Sequence, residues 1–221
     1  MQKLAEALLQ AKGLVFDFDG TLVDSNLIKW KGFEACFSGF PGRLEEIMAY
    51  CRGNSHTPRW DKFRHVYERI LRLPYTPEDE RRLSRAFEEA TTQKIVETPE
   101  VPSAERFLRR VASTHWTALL SATPNPILAQ ILKNRGWGEI FREVQGAPVH
   151  KAVWLRELRG RKSWGAAQLL FFGDTPEDAQ AAAEADCLFV LVGKTQETPT
   201  NTFAIPNYER LVAAIEEGRE C

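Results

Sequence analysis

The fold of this chain is decided by the stretch Leu14-Val15-Phe16-Asp17-Phe18-Asp19-Gly20-Thr21. The three apolar residues at its start are typical of a short buried strand, and the acids and glycine after them indicate a tight turn. Gly20 suits such a turn because glycine allows close backbone approach. Ligands of open α/β sheets bind outside the carboxyl ends of the strands, so this stretch predicts a strand with a site at its end.

Beyond residue 102 the sequence alternates between helical and strand-like segments. Strands are predicted over residues 116–120, within 136–146, and over 169–172 and 188–192. Continuously apolar strands that alternate with helices predict a parallel sheet covered on both faces. We therefore expect a doubly wound, Rossmann-like α/β core made of residues 1–25 and 101–221.

Residues 26–100 interrupt this alternation directly after the first strand. They contain almost no strand-like run, and helices are predicted over residues 27–37, 44–51, 60–71 and 77–94. Thr76-Pro77-Glu78-Asp79 is typical of an N-cap followed by proline at the first helical position and acids in the first turn. We expect an all-helical domain inserted into the α/β core.

Polar residues suited to phosphate stand at four predicted strand ends or in the loops after them. In chain order they are Asp17, Asp19, Gly20 and Thr21, then Ser121 and Ala122, then Lys151, and finally Asp174 with Asp178. Because the carboxyl ends of parallel strands meet at one edge of a sheet, we expect these residues to surround one site.

Each residue type suits phosphoryl transfer. The carboxylate of Asp17 can attack phosphorus and form an aspartyl-phosphate, and Asp19 can pass a proton to the leaving group. Ser121 and Lys151 can hold the phosphoryl oxygens on which charge develops. Taken alone, Ser121 would equally suit a helix N-cap and Lys151 a solvated surface, so the combination of residues carries the prediction.

A cation is expected in the same place, since two acids and a dianionic phosphate repel one another. Mg²⁺ prefers oxygen ligands and needs only a few protein carboxylates besides the substrate phosphate. Asp17 and Asp174 can supply carboxylates, and Asp19 can supply its backbone carbonyl. We therefore expect Mg²⁺ as the cofactor.

The motifs resemble those of the haloacid dehalogenase (HAD) superfamily. The segment from Asp17 to Ser25 is similar to its first motif, Ser121 to its second, Lys151 to its third, and Gly173-Asp174-Thr175-Pro176-Glu177-Asp178 to its fourth. The resemblance covers nearly the whole chain, and the helical insert resembles the superfamily's C1-type cap. The fourth-motif helix usually closes with glycine, whereas this chain has Ala185-Asp186, and Asp tolerates the left-handed conformation better than most residues.

This resemblance implies a role for each matching residue. It implies that Asp17 is nucleophile and metal ligand, Asp19 acid/base and backbone ligand, Ser121 and Lys151 phosphate binders, Asp174 a metal ligand and Asp178 a supporting acid. The alternative for Asp178 is a first-turn acid that the helix dipole favours. Gly20, Thr21 and Ala122 are expected to contact the phosphate as well.

The leading prediction is a phosphatase similar to phosphoglycolate phosphatases, acting on a small phosphorylated metabolite such as phosphoglycolate or a sugar phosphate. One alternative is a phosphomutase resembling β-phosphoglucomutase, whose group tends to carry Glu-Asp where this chain has Gly173-Asp174. Another is a non-catalytic phosphate-binding module. Asp19 and Asp174 argue against a dehalogenase, which needs no magnesium. Arg52, at the start of a basic loop over residues 52–59, could contact the substrate or belong to a solvated face.

The composition of the chain limits the classes of binding partner that are expected. The net charge of −1 gives no basic field for nucleic acid, and no apolar run is long enough to cross a bilayer. The N-terminal residues are typical of an amphipathic helix and not of a signal peptide. Four cysteines without CxxC spacing favour free thiols in the cytoplasm. A monomer is the default expectation, with a homodimer as the alternative.

Overall fold

The computed structural model describes residues 2–54, 57–193 and 202–217. It divides into two compact units. The sheet unit comprises Met1–Asp24 and Pro99–Cys221, and the helical unit comprises Ser25–Thr98. No helix among the described residues has both the length and the apolar composition needed to cross a membrane.

A six-stranded sheet forms the centre of the sheet unit. Its strands are β1 (Gly13–Phe16), β2 (Trp116–Pro124), β3 (Glu143–Ala147), β4 (Leu169–Gly173), β5 (Leu188–Val192) and β6 (Thr202–Ile205). All neighbouring strands are parallel, in the order β3-β2-β1-β4-β5-β6. The chain fills one side of β1 first and then crosses to β4 on the other side, which confirms the predicted doubly wound α/β fold.

Helices accompany the strands and make up most of the helical unit. They are α1 (Gln2–Gln10), α2 (Asn26–Cys36), α3 (Leu44–Gly53), α4 (Arg59–His65), α5 (Pro77–Glu97), α6 (Ala104–Val111), α7 (Asn125–Asn134), α8 (Lys151–Lys162), α9 (Pro176–Glu184) and α10 (Glu209–Glu217). Single 3₁₀ turns cover Pro41–Arg43 and Ala166–Gln168.

The apolar character of the central strands follows from their burial on both faces. Every residue of β1 and β4 is buried. The ring of Phe16 stacks on that of Phe172 at 4.7 Å between centroids and meets Phe107 edge-on at 6.2 Å. This packing holds the carboxyl ends of β1 and β4 side by side.

An aromatic core holds the helical unit together. Phe33 lies edge-on to Phe87 at 5.0 Å and to Phe63 at 5.9 Å. The predicted helix over residues 60–71 is in fact α4 followed by a π-helical turn, Val66–Leu71. The wider turn accompanies burial of Val66, Tyr67 and Ile70, and it ends at Arg72, whose φ of 56° is left-handed.

Two strands differ from the sequence prediction. β2 continues four residues beyond Leu120, with a register shift that pairs Pro124 with Ala147 of β3. β6 was not predicted, because it is only four residues long and most of it is not fully buried. The end of α9 agrees with the prediction: Asp186 adopts a left-handed φ of 52°, and Arg159 donates hydrogen bonds to the carbonyls of Ala185 and Asp186.

Candidate active site

The candidate site lies where the winding of the sheet reverses. Asp17 directly follows β1 and Asp174 directly follows β4, and these two strands are neighbours. The backbone N–H of Asp17 donates to the carbonyl of Phe172 at 2.8 Å, which continues the ladder to the first acid. In doubly wound sheets ligands bind in the crevice at this switch point.

Three carboxylates meet there. Asp17, Asp174 and Asp178 each offer one oxygen, and these oxygens lie within 4.8 Å of one another. Asp17 and Asp178 are almost fully buried, with 6% and 2% of their surface exposed. An all-oxygen set of this kind suits a hard divalent cation.

Lys151 connects two of these acids. Its Nζ lies 2.7 Å from Oδ1 of Asp17 and 2.6 Å from Oδ1 of Asp178. Burial opposes the charge on Lys151, but the two carboxylates outweigh it, and the pKa of Lys151 is raised. The charged form of the lysine is therefore favoured between the two acids, at the first residue of α8.

The nucleophile candidate is in a less favourable electrostatic position. Burial raises the pKa of Asp17 to about 7, Lys151 opposes that rise, and the charges of Asp178, Asp174 and Asp19 add to it. A cation among these acids would favour the ionised form that a nucleophile requires.

Asp178 has two structural roles at once. Its Oδ2 accepts from the hydroxyl of Thr175 at 2.7 Å and from the Thr175 N–H at 3.3 Å, while the Thr175 hydroxyl accepts from the Asp178 N–H at 3.2 Å. This is a capping box at the start of α9. One oxygen caps the helix and the other meets Lys151. Asp178 is thus a first-turn acid, and its support of a metal stays a prediction.

The turn after β1 carries Asp19, Gly20 and Thr21. Gly20 has a φ of 81°, as the tight turn requires, and its N–H donates to the carbonyl of Val23 at 2.7 Å. The hydroxyl of Thr21 donates to Oδ1 of Asp174 at 3.3 Å, so this expected phosphate contact also orients an acid. Oδ2 of Asp19 accepts from the hydroxyl of Thr123 at 3.2 Å.

The remaining predicted residues are distributed between the two units. Ser121 is fully buried near the end of β2, and its Oγ accepts the N–H of Thr123 at 3.1 Å. Ala122 between them is exposed. Arg52 belongs to the helical unit, where its half-exposed side chain pairs with Glu34 at 3.4 Å. Residues 55 and 56 of its basic loop lie outside the described residues.

Three polar residues near the site were assigned no role from the sequence. Thr123 contacts Asp19 and Thr175 contacts Asp178, as above. Tyr208 is fully buried, stacks on Phe107 at 5.2 Å, and donates its hydroxyl to the carbonyl of Thr21 at 3.2 Å. Burial, followed by the charges of Asp17 and Asp174, raises the pKa of Tyr208, so it stays a donor. Only Thr175 had a signal, because it precedes Pro176 as an N-cap does.

Most of the chain matches a known protein family. Residues 14–183 match the sequence model described as haloacid dehalogenase-like hydrolase. A phosphoglycolate phosphatase of Yersinia pseudotuberculosis is 24% identical over 185 residues, covering 80% of this chain and 78% of that protein.

Solved structures share the fold. CbbY of Rhodobacter sphaeroides, in complex with phosphate, has a TM-score of 0.70 at 14% identity and covers 91% of this chain and 96% of its own. A candidate β-phosphoglucomutase of Thermotoga maritima has a TM-score of 0.66 at 16% identity, over 93% and 98% of the two chains. Likeness at this level of identity shows the fold alone, and function has to be argued from the site.

Proposed function

The chain belongs to the haloacid dehalogenase-like hydrolase family, and we propose that it is a magnesium-dependent phosphatase that hydrolyses a small phosphorylated metabolite through an aspartyl-phosphate. The observation that carries the proposal is the group of three carboxylates within 4.8 Å of one another, with Lys151 joined to two of them. Carboxylate oxygens of this kind suit a divalent cation. Such a cation and Lys151 would together supply positive charge to the phosphoryl oxygens.

In the first step the carboxylate of Asp17 attacks phosphorus. A bond forms between an Asp17 oxygen and phosphorus, and the bond from phosphorus to the leaving oxygen breaks. Protonated Asp19 gives its proton to that oxygen, and the product alcohol leaves. Ser121 and Lys151 donate to the phosphoryl oxygens, where charge has to be held.

In the second step water attacks the same phosphorus from the side that the alcohol has left. Asp19, now ionised, takes a proton from this water. The bond between Asp17 and phosphorus breaks, inorganic phosphate leaves, and the carboxylate of Asp17 is restored. Mg²⁺ held by Asp17, Asp174 and the Asp19 carbonyl, with Asp178 in support, would neutralise the charge of acids and phosphate.

The test is phosphate release from 4-nitrophenyl phosphate. We expect turnover that requires Mg²⁺, stops with a chelator and disappears in Asp17→Asn. Asp186→Asn is the matched control, because Asp186 is an exposed acid at the end of α9 and asparagine tolerates its left-handed backbone. Full activity of Asp17→Asn would contradict the mechanism.

The substrate class is proposed from the names of the curated relatives. The name of the Yersinia relative directs the first assays to phosphoglycolate, followed by sugar phosphates and nucleotides. For the mutase alternative, β-glucose 1-phosphate should yield glucose 6-phosphate without phosphate release. A non-catalytic module would bind phosphate and turn over none of these compounds.

A further inference from the structure

We infer that Thr123 is a positioning residue for Asp19 and that its hydroxyl aims the Asp19 carboxyl at the oxygen of the leaving group. This inference rests on the proposed function, since it assumes that Asp19 is the general acid. Thr123 lies outside the residues that the motifs identify.

The contact is buried and direct. Oγ1 of Thr123 lies 3.2 Å from Oδ2 of Asp19, and the two residues are 8% and 7% exposed. A bond to one oxygen restricts rotation of the carboxyl group, so the position of the other oxygen is set as well. Positioning of this kind matters because general acid catalysis requires the proton within hydrogen-bond reach of the leaving oxygen.

A hydroxyl suits an acid that changes its protonation state. It donates to the ionised carboxylate and can accept from the protonated carboxyl, by rotating its own hydrogen. A lysine or a backbone N–H could only donate and could not accept a hydrogen bond from the carboxyl group. Thr123 can therefore keep the contact through both steps of the proposed reaction.

The backbone explains how this hydroxyl reaches the site. β2 runs past Ser121 to Pro124, and side chains two residues apart on a strand point to the same face. Ser121 and Thr123 are accordingly both buried, while Ala122 between them is exposed. The N–H of Thr123 donates to Oγ of Ser121 at 3.1 Å, which ties the two hydroxyl residues together.

The test compares two substrates of nearly equal shape, 4-nitrophenyl phosphate and phenyl phosphate. Phenolate is the poorer leaving group, so its departure depends more on a proton from Asp19. kcat/KM reports only the steps up to that departure, so the later attack of water does not enter. We expect Thr123→Val to lower kcat/KM for phenyl phosphate about tenfold more than for 4-nitrophenyl phosphate, within the range typical of general acid catalysis.

Three further variants make the test specific. Thr123→Ser keeps the hydroxyl and should restore the wild-type ratio of the two kcat/KM values. Thr117→Val removes another buried hydroxyl of β2, one that donates to the carbonyl of Ile140, and should leave the ratio unchanged. In an Asp19→Asn background, Thr123→Val should cause no further change in the ratio.

The inference would be overturned if Thr123→Val lowered kcat/KM equally for both substrates or for neither. The proposed function would then remain intact. If Thr123→Val does not fold, Thr123→Ala serves as the variant with the same expected ratio. If instead wild-type protein hydrolyses neither substrate, or Asp17→Asn remains active, the proposed function itself has failed.

Discussion

A Cβ atom at Gly173 would lie 2.5 Å from the Cβ of Asp178 and 2.8 Å from its Oδ2, so the end of β4 has room for Asp178 only because position 173 has no side chain. Asp178 approaches from the first turn of α9 and uses this space to reach Lys151 at 2.6 Å. A glutamate at position 173, as the mutase-type fourth motif tends to have, would require Asp178 to move.

Gly173→Ala is expected to displace Asp178 and to impair the site. Displacing a positioned group by about 1 Å can lower a rate about 100-fold, so we expect kcat/KM for 4-nitrophenyl phosphate to fall about 10- to 100-fold. The magnesium concentration for half-maximal activity should rise. Gly160→Ala is the matched control, since nothing lies within 4 Å of a Cβ in that part of α8. Equal kinetics of Gly173→Ala and wild type would contradict this account of Asp178.

The same tetrapeptide sequence begins helices α5 and α9, but its acid has different contacts in the two places. Thr76-Pro77-Glu78-Asp79 and Thr175-Pro176-Glu177-Asp178 each form a capping box, with the same 2.7 Å bond from the threonine hydroxyl to Oδ2 of the acid. Oδ1 of Asp79 accepts from Arg82 at the surface, whereas Oδ1 of Asp178 accepts from Lys151 in a buried position. One box stabilises a helix, and the other also orients a residue of the site.

Thr175→Ala and Thr76→Ala separate these roles. Each should lower the free energy of unfolding by about 1 kcal/mol, the usual effect of losing an N-cap side chain. Only Thr175→Ala should also lower kcat/KM and weaken the effect of magnesium, because it releases Oδ2 of Asp178. Urea unfolding and phosphatase assays on both variants measure the two effects. An equal loss of activity in Thr76→Ala would show that the effect is general and not local to α9.

These two identical segments show which features of the structure the sequence predicts and which it does not. Apolar runs such as Leu14–Phe16 predict the parallel sheet because central strands are buried on both faces, and acids after such runs predict the site. The two tetrapeptides, in contrast, are identical, and only their neighbours in space distinguish them. Thr123 and Tyr208 depend on the extension of β2 past Leu120 and on the return of the chain after β6, which local sequence patterns do not encode.

Asp17→Asn is expected to stabilise the protein in the presence of a chelator at high pH. Folding raises the pKa of Asp17 from 3.8 to about 7, so the folded state binds a proton between these values. The stability that this bound proton adds is therefore fully present below the unfolded-state pKa of 3.8. It is lost as the pH rises through the folded-state pKa of about 7. Asparagine cannot ionise, so near pH 8 the variant should exceed the wild type by on the order of 2–4 kcal/mol.

Unfolding of both proteins by urea in chelator, from about pH 4 to pH 8, measures that difference. The difference in the free energy of unfolding should shrink toward about pH 4, where the protonated Asp17 of the wild type is uncharged, as asparagine is. Magnesium should raise the stability of the wild type more than that of Asp17→Asn, because the cation prefers the carboxylate. A wild type that is more stable than the variant near pH 8 in chelator would contradict the raised pKa.

Lys151→Met should be the most damaging of these changes, because it leaves Asp17 and Asp178 buried without their common cation. Removing one partner of a buried ion pair typically lowers stability by about 3–5 kcal/mol, and we expect a loss of this size in chelator near pH 8. The pKa of Lys151 is raised, so the wild-type lysine is charged at this pH and its contribution is fully present. Magnesium should recover part of the lost stability, since it supplies positive charge to the same acids. It should not recover activity, which we expect to fall about 100- to 1,000-fold because no other group replaces the lysine at the phosphoryl oxygens.

Lys133→Met, an exposed position on α7, is the control and should change neither the stability nor the activity. Asp17→Asn should raise stability more in the Lys151→Met background than in the wild type, and a double variant whose change equals the sum of the two single changes would show that the two residues are not coupled.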